Sequence, residues 1–270
     1  MTLGAKSFSN FTFLYKRETR MTHSSVTPLD QDVKQAISSG DNDMTALTLN
    51  NSSHPQTPEK KAANEKASKF WDKLAAKYAA RPVDDPEAYE HTLSRTKAHL
   101  KPSDHMLEIG CGTGTTSLIL SDYVRHITAQ DYSREMIDIA EKKREVDGTN
   151  NVTFAQSSVD DLPSFETYDV VFASSLLHLL PDLDDALVRI QQSVEPGGLF
   201  ISKTVCLKNQ SLLYDIMVPL MRLVGKAPYV NFVTGDEIEE KIKQNGFEIL
   251  EADDHNHKPA CRFVVARRIA

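Results

Sequence analysis

The stretch Leu107-Glu108-Ile109-Gly110-Cys111-Gly112-Thr113-Gly114 restricts the possible folds of this chain more than any other. An apolar run ends in three alternating glycines and passes into a helical pattern near Thr115. Glycines tolerate backbone conformations that side chains resist, so the chain can turn sharply there and approach a ligand closely. A strand turning into a helix through such a loop belongs to an open α/β sheet, with ligands at the carboxyl edge of its strands. The rest of the chain follows suit. Residues 105–109, 126–131, 152–156, 168–174 and 199–204 read as strands, with helices over 134–146, 183–194 and 235–246. Pro196-Gly197-Gly198 is expected to close the second of these helices. Two final strands, 247–253 and 262–268, follow each other without a helix of normal length and are expected to pair antiparallel. This pattern predicts a mostly parallel sheet with helices on both faces.

Glu108 sits two residues before the first glycine. A dinucleotide loop would press a pyrophosphate against this corner, and a carboxylate beside it would cost about 4 kcal/mol at an intermediate dielectric. The spacing is also GxGxG rather than GxGxxG. A ligand with adenosine-like bulk, no phosphate and a positive charge fits better, and S-adenosylmethionine has these features. Asp131 ends the next strand, where an acid can accept hydrogen bonds from both ribose hydroxyls. A nicotinamide cofactor shares that feature, so the pair Glu108 and Asp131 discriminates better than either residue alone.

Residues 1–64 differ in character. They are rich in Ser, Thr, Asn and Gln and lack a clear period, which reads as a disordered extension. Lys6, Lys16, Arg17 and Arg20 raise mitochondrial targeting as an alternative to a cytoplasmic location, but Glu18 interrupts the set and a floppy tail is preferred. Residues 65–270 read as the folded domain. Phe70, Leu74 and Tyr78 recur at helical spacing up to Pro82, and a second helix follows Pro86. The net charge of −7 argues against a nucleic-acid backbone as partner. Cys111, Cys206 and Cys261 are few and scattered, which argues against a disulfide framework or a zinc site. No apolar run is long enough to cross a bilayer, so stable membrane insertion is not expected.

"LEIGCGTG", "AQDYSREMIDIA", "VTFAQSSVDDLP", "YDVVFASSLLHLLPD", "EPGGLFISK" and "GFEILEA" together resemble the class I S-adenosylmethionine-dependent methyltransferases. The resemblance covers about residues 65 to 270. It implies a Rossmann-like sheet of seven strands in the order 3-2-1-4-5-7-6, the last antiparallel. It also implies that Glu108, Gly110, Cys111, Gly112 and Gly114 line the methionine and ribose, that Asp131 binds the ribose, and that Tyr132 flanks the adenine. Ser158 stands where the family often has an adenine-binding Asp, with Asp160 as a substitute and Val159 packing on the ring. Ser174 is a candidate contact to the methionine part. His178 is a candidate base for the acceptor's proton, or a packing residue at a helix start.

Residues 65–100 resemble the helical lid of small-molecule members. Trp71 and Tyr78 are candidates to close over the cofactor, and the alternative is that Phe70, Leu74 and Tyr78 form the helix's buried stripe. Residues 206–232 correspond to the acceptor side. They read as the wall of an apolar or aromatic pocket, as a core-covering helix, or as an amphipathic membrane contact supported by Lys208, Arg222 and Lys226. His255 and His257 form an HxH for which a solvated loop is favoured over a metal site. The expected function is methyl transfer by in-line displacement to a small, apolar or aromatic acceptor whose identity and acceptor atom the sequence does not give, with no metal. The rivals are a non-catalytic cofactor-binding sensor or partner subunit, an RNA or protein methyltransferase, and a nicotinamide oxidoreductase.

Overall fold

The computed structural model describes residues 57–162, 166–255 and 260–269. His257 lies outside these, as do the residues 1–56 of the expected extension. One sheet of seven strands organises the described residues, in the order β3-β2-β1-β4-β5-β7-β6. Its strands are β1 (His105–Ile109), β2 (His126–Asp131), β3 (Val152–Gln156), β4 (Tyr168–Ser174), β5 (Val194–Val205), β6 (Phe247–His255) and β7 (Cys261–Arg268). Neighbours are parallel except at β7, which runs antiparallel to both β5 and β6. This is the expected topology. It turns on β1: the chain builds outward to β2 and β3, then returns to add β4 on the other side. Ligands in such sheets bind at that reversal, outside the carboxyl ends of the strands.

Alternation along the strands feeds two cores. Leu107, Ile109, Val171, Ala173 and Phe200 point to one face, against Leu187 and Ile190 of α5 (Leu183–Ser193) and Ile238 and Ile242 of α7 (Gly235–Gln244). Met106, Ile127, Ala129, Phe172 and Ile201 point to the other. There they meet Leu93 of α2 (Pro86–Ala98), Leu120 of α3 (Thr115–Leu120), and Ile137 and Ala140 of α4 (Arg134–Asp147). Each large side chain of these clusters, withdrawn from water, contributes about 1.5–3 kcal/mol.

Three elements depart from expectation. Helix α1 (Pro58–Ala79) starts inside the segment assigned to the extension. Thr57 caps it by accepting the Lys60 amide, and Pro58 suits the first turn, where no amide partner is needed. Pro196-Gly197-Gly198 does not close α5. That helix ends at Ser193, and the three residues lie at the start of β5, beside a register shift against β4. Gly197, at φ +80°, takes up the irregularity. The third is α6 (Leu212–Leu223), expected among other readings to cover the core. Between Asp215 and Lys226 every residue is exposed except Val218.

Candidate cofactor site

The glycine loop is folded as the spacing requires. Gly110, Gly112 and Gly114 lie at φ +71°, +54° and +73°. The amides of Gly110 and Cys111 both donate to the Gln130 carbonyl, at 2.7 and 3.0 Å, so the loop is tied to the end of β2. The glycines serve different purposes. A methyl group on Gly114 would come within 2.6 Å of the Phe154 ring and 2.7 Å of the Ala140 Cβ, so this position lets α3 pack against α4 and β3. On Gly110 it would meet a flexible Leu176 methyl at 3.0 Å. On Gly112 it would meet nothing nearer than the Tyr78 ring at 4.0 Å. Gly112 is therefore the open part of the loop.

Glu108 is buried, with 2% of its surface exposed. Its carboxylate accepts the Ser117 hydroxyl of α3 at 2.5 Å. Among the described residues it has no cationic partner. Burial pushes its pKa up to about 7, with repulsion from Asp131 adding and the Ser117 hydroxyl opposing. Asp131 is buried too, and each of its oxygens accepts one backbone amide: Gly112 at 3.0 Å and Ser133 at 2.9 Å. Burial raises its pKa, and the two amides hold the rise in check. Each oxygen keeps a lone pair free for a further donor. The Cys111 thiol is held well above its ordinary value, chiefly by burial, so it stays un-ionised and unreactive.

Tyr132 follows Asp131, half-buried, with its hydroxyl hydrogen-bonded to the Trp71 indole. Trp71 also meets Tyr78 edge-on, with ring centroids 6.5 Å apart. Ser158 donates its hydroxyl to Asp161 at 2.6 Å, in a reciprocal cap on a short helical turn. Val159 is buried in the apolar core with Leu107 and Ile109. Ser174 ends β4 beside Lys203 of β5 and is half-buried. Ser175 follows at φ +56°, a left-handed conformation unusual for serine, at the carboxyl edge. His178 is buried on the next turn. Its Nδ1 finds no hydrogen-bond partner among the described residues, and burial lowers its pKa to about 4.

These features place a buried acid at the first strand–helix corner and a second acid at the tip of the neighbouring strand, with an open glycine between. Residues 100–251 also match the family model described as a methyltransferase domain. This chain belongs to the methyltransferase-domain family. It is an S-adenosylmethionine-dependent methyltransferase of class I. A ubiquinone biosynthesis O-methyltransferase of Rickettsia canadensis is 23% identical over 194 residues, 69% of this chain and 81% of that protein. A demethylmenaquinone methyltransferase of Alkalihalophilus pseudofirmus is 25% identical over 195 residues, 63% of this chain and 80% of that protein. Among solved structures, the DhpI–SAH complex superposes with a TM-score of 0.61 at 23% identity, covering 77% of this chain and 98% of that one.

The methyltransferase also brings together residues that apolar periodicity does not reveal. Helix α1 crosses the tips of β2 and β3 through polar contacts. Lys60 pairs with Asp160 at 2.6 Å and with Asp185 at 2.7 Å. Asn64 donates to Asp160 at 2.6 Å, and Ser68 donates to the Tyr132 carbonyl at 2.9 Å. Asp72 accepts the Ser133 hydroxyl at 2.6 Å. These four residues are spaced by four, so they form one stripe on the helix. A polar stripe of this kind is the signal that could have located the docking face. Asp160, considered above as an adenine partner, is buried beneath Lys60 and Asn64 and holds helix α1. Only Ala75 of α1 is fully buried, so Phe70, Leu74 and Tyr78 are not a core stripe. Tyr89 of α2, not singled out by its sequence, bonds Thr116 at the start of α3 at 3.1 Å.

Proposed function

We propose that this methyltransferase acts on a small acceptor with an apolar or aromatic body, by in-line displacement. The observation that carries the reading is Glu108: a buried carboxylate whose one hydrogen-bond partner among the described residues is a neutral hydroxyl. Such a group is costly to ionise alone and gains most from a cation delivered to it. The residues fit S-adenosylmethionine. When bound, that co-substrate supplies an electrophilic methyl, which the acceptor takes as the carbon–sulfur bond breaks, leaving S-adenosylhomocysteine. Glu108 balances the positive charge. Asp131 receives the ribose hydroxyls on its free lone pairs, and Gly112 lets the backbone come close. Tyr132, Trp71 and Tyr78 offer ring faces to the adenine and the sulfonium. Cys111, Ser158 and Val159 complete the wall, and Ser174 meets the methionine part.

Alignment of acceptor and methyl contributes more to such a displacement than a strong base does. His178 fits a modest role. Its ring is neutral at ordinary pH, and its free Nδ1 can accept the hydrogen of an acceptor hydroxyl. His178→Gln is then expected to lower kcat by about 10²-fold, and at saturating S-adenosylmethionine, where Glu108 is held ionised, wild-type kcat should show no ionisation near the ordinary histidine value, about pH 6.5. A pH–rate profile with a limb at that value would contradict the assignment.

The relatives named for ubiquinone and menaquinone support an aromatic acceptor with an apolar substituent. The test is methyl transfer from labelled S-adenosylmethionine. Label should pass into catechol or quinol acceptors extracted into organic solvent, and more readily as the acceptor's apolar tail lengthens. Label found only in RNA or protein would overturn the reading.

A further inference from the structure

Helix α6 turns its apolar stripe toward water. Ile216, Leu220, Leu223 and Val224 share one face by their spacing, and they are 68%, 58%, 83% and 60% exposed. On α5 a similar spacing (Leu183, Ala186, Leu187, Ile190) is buried in the core. Asp215, Pro219, Arg222 and, just beyond the helix end, Lys226 lie along one flank of this stripe, and the half-buried Val218 lies behind it. The helix is thus amphipathic, with its apolar face pointing outward. It is 12 residues long, and no helix among the described residues is long and apolar enough to cross a membrane.

Charge selects the occupant. Residues 206–232 hold three cations, Lys208, Arg222 and Lys226, against one acid, Asp215, in a chain of net charge −7. Lys208 pairs with Glu237. Arg222 lies over the Tyr229 ring, 4.7 Å from its centre, and neither it nor Lys226 has an acidic partner among the described residues. A second copy docking through the same helix would bring like charge to a cationic stripe. An anionic lipid surface brings opposite charge and an apolar layer together.

We propose that α6 is a membrane-surface helix. It lies in the headgroup layer of a bilayer containing anionic lipid. Ile216, Leu220, Leu223 and Val224 enter the acyl boundary, while Arg222 and Lys226 reach back to the phosphates. This goes beyond the methyl-transfer reading, since neither cofactor nor acceptor is needed for it.

The experiment is co-sedimentation of the full chain with phosphatidylcholine vesicles, with and without phosphatidylglycerol. The wild type is expected to pellet with the anionic vesicles and to be released by salt. Ile216→Ser, Leu220→Ser and Leu223→Ser combined should weaken binding by about tenfold or more, and so should Arg222→Glu with Lys226→Glu. All these positions are exposed, and S-adenosylmethionine titration of the same preparations confirms that each variant is folded. Wild-type protein left in the supernatant, or a serine variant that pellets as well as wild type, would overturn the proposal. So would a wild-type dimer that the serine variant dissolves into monomers, because the stripe would then be a self-interface.

Discussion

Glu108→Gln is expected to stabilise the unliganded protein and to cripple cofactor binding at the same time. In the folded chain the carboxyl pKa rises from 4.5 to about 7, mainly through burial. A raised carboxyl binds protons more tightly in the folded than in the unfolded state. Its contribution to stability is fully present below pH 4.5 and is lost as pH rises through about 7. At about 1.4 kcal/mol per pKa unit, the loss is about 3 kcal/mol above that window. Glutamine keeps an oxygen for the Ser117 hydroxyl and carries no charge to desolvate. The variant should therefore gain up to about 3 kcal/mol at alkaline pH and little in acid, read by denaturant unfolding at both. Its affinity for S-adenosylmethionine should fall by roughly 10²-fold, because the buried charge pair is lost. Equal stability at alkaline pH would show that the carboxylate is not strained by burial. Undiminished affinity would show that it does not face the cation. Lysine at this position would be a poor probe, since burial would penalise its charge without a partner.

Gly114→Ala is expected to damage the fold itself. Two costs coincide: a left-handed backbone at φ +73° and a methyl placed 2.6 Å from the Phe154 ring. The conformation alone costs roughly 1–2 kcal/mol, and overpacking adds about 1–3 kcal/mol. Gly112→Ala has a similar backbone but open space, so it should cost only the conformational part. That methyl would instead occupy the room meant for the ligand. Denaturant unfolding and cofactor titration on both variants separate the roles. Gly114→Ala should lose stability first, and Gly112→Ala should lose affinity first. The reverse order would mean that packing and ligand approach have been assigned to the wrong glycines.

The sheet was legible because parallel strands and amphipathic helices differ in period, and each segment carried its own period clearly. Strand order followed from the motifs at 107–114, 129–140 and 168–182 with the family they resemble. The positions of Glu108 and Asp131 at neighbouring strand ends were legible too. Their burial was not, since a charged residue in a sequence reads as exposed until a fold closes over it. Helix α1 was misjudged for a related reason. Its contacts run through Lys60, Asn64, Ser68 and Asp72, and apolar periodicity does not register a polar docking face. Pro196-Gly197-Gly198 misled because a helix stop and a strand irregularity favour the same residues. The fate of α6 depends on what the fold leaves uncovered, and an apolar stripe in the sequence does not show whether it faces core or solvent.

Calorimetric titration with S-adenosylmethionine at pH 7, repeated in buffers of different ionisation enthalpy, tests the central claim most directly. An acid half-protonated in the free protein and fully ionised against a cation should release about half a proton on binding, and Glu108→Gln should release none. Proton release that is absent in the wild type, or unchanged in the variant, would contradict the account.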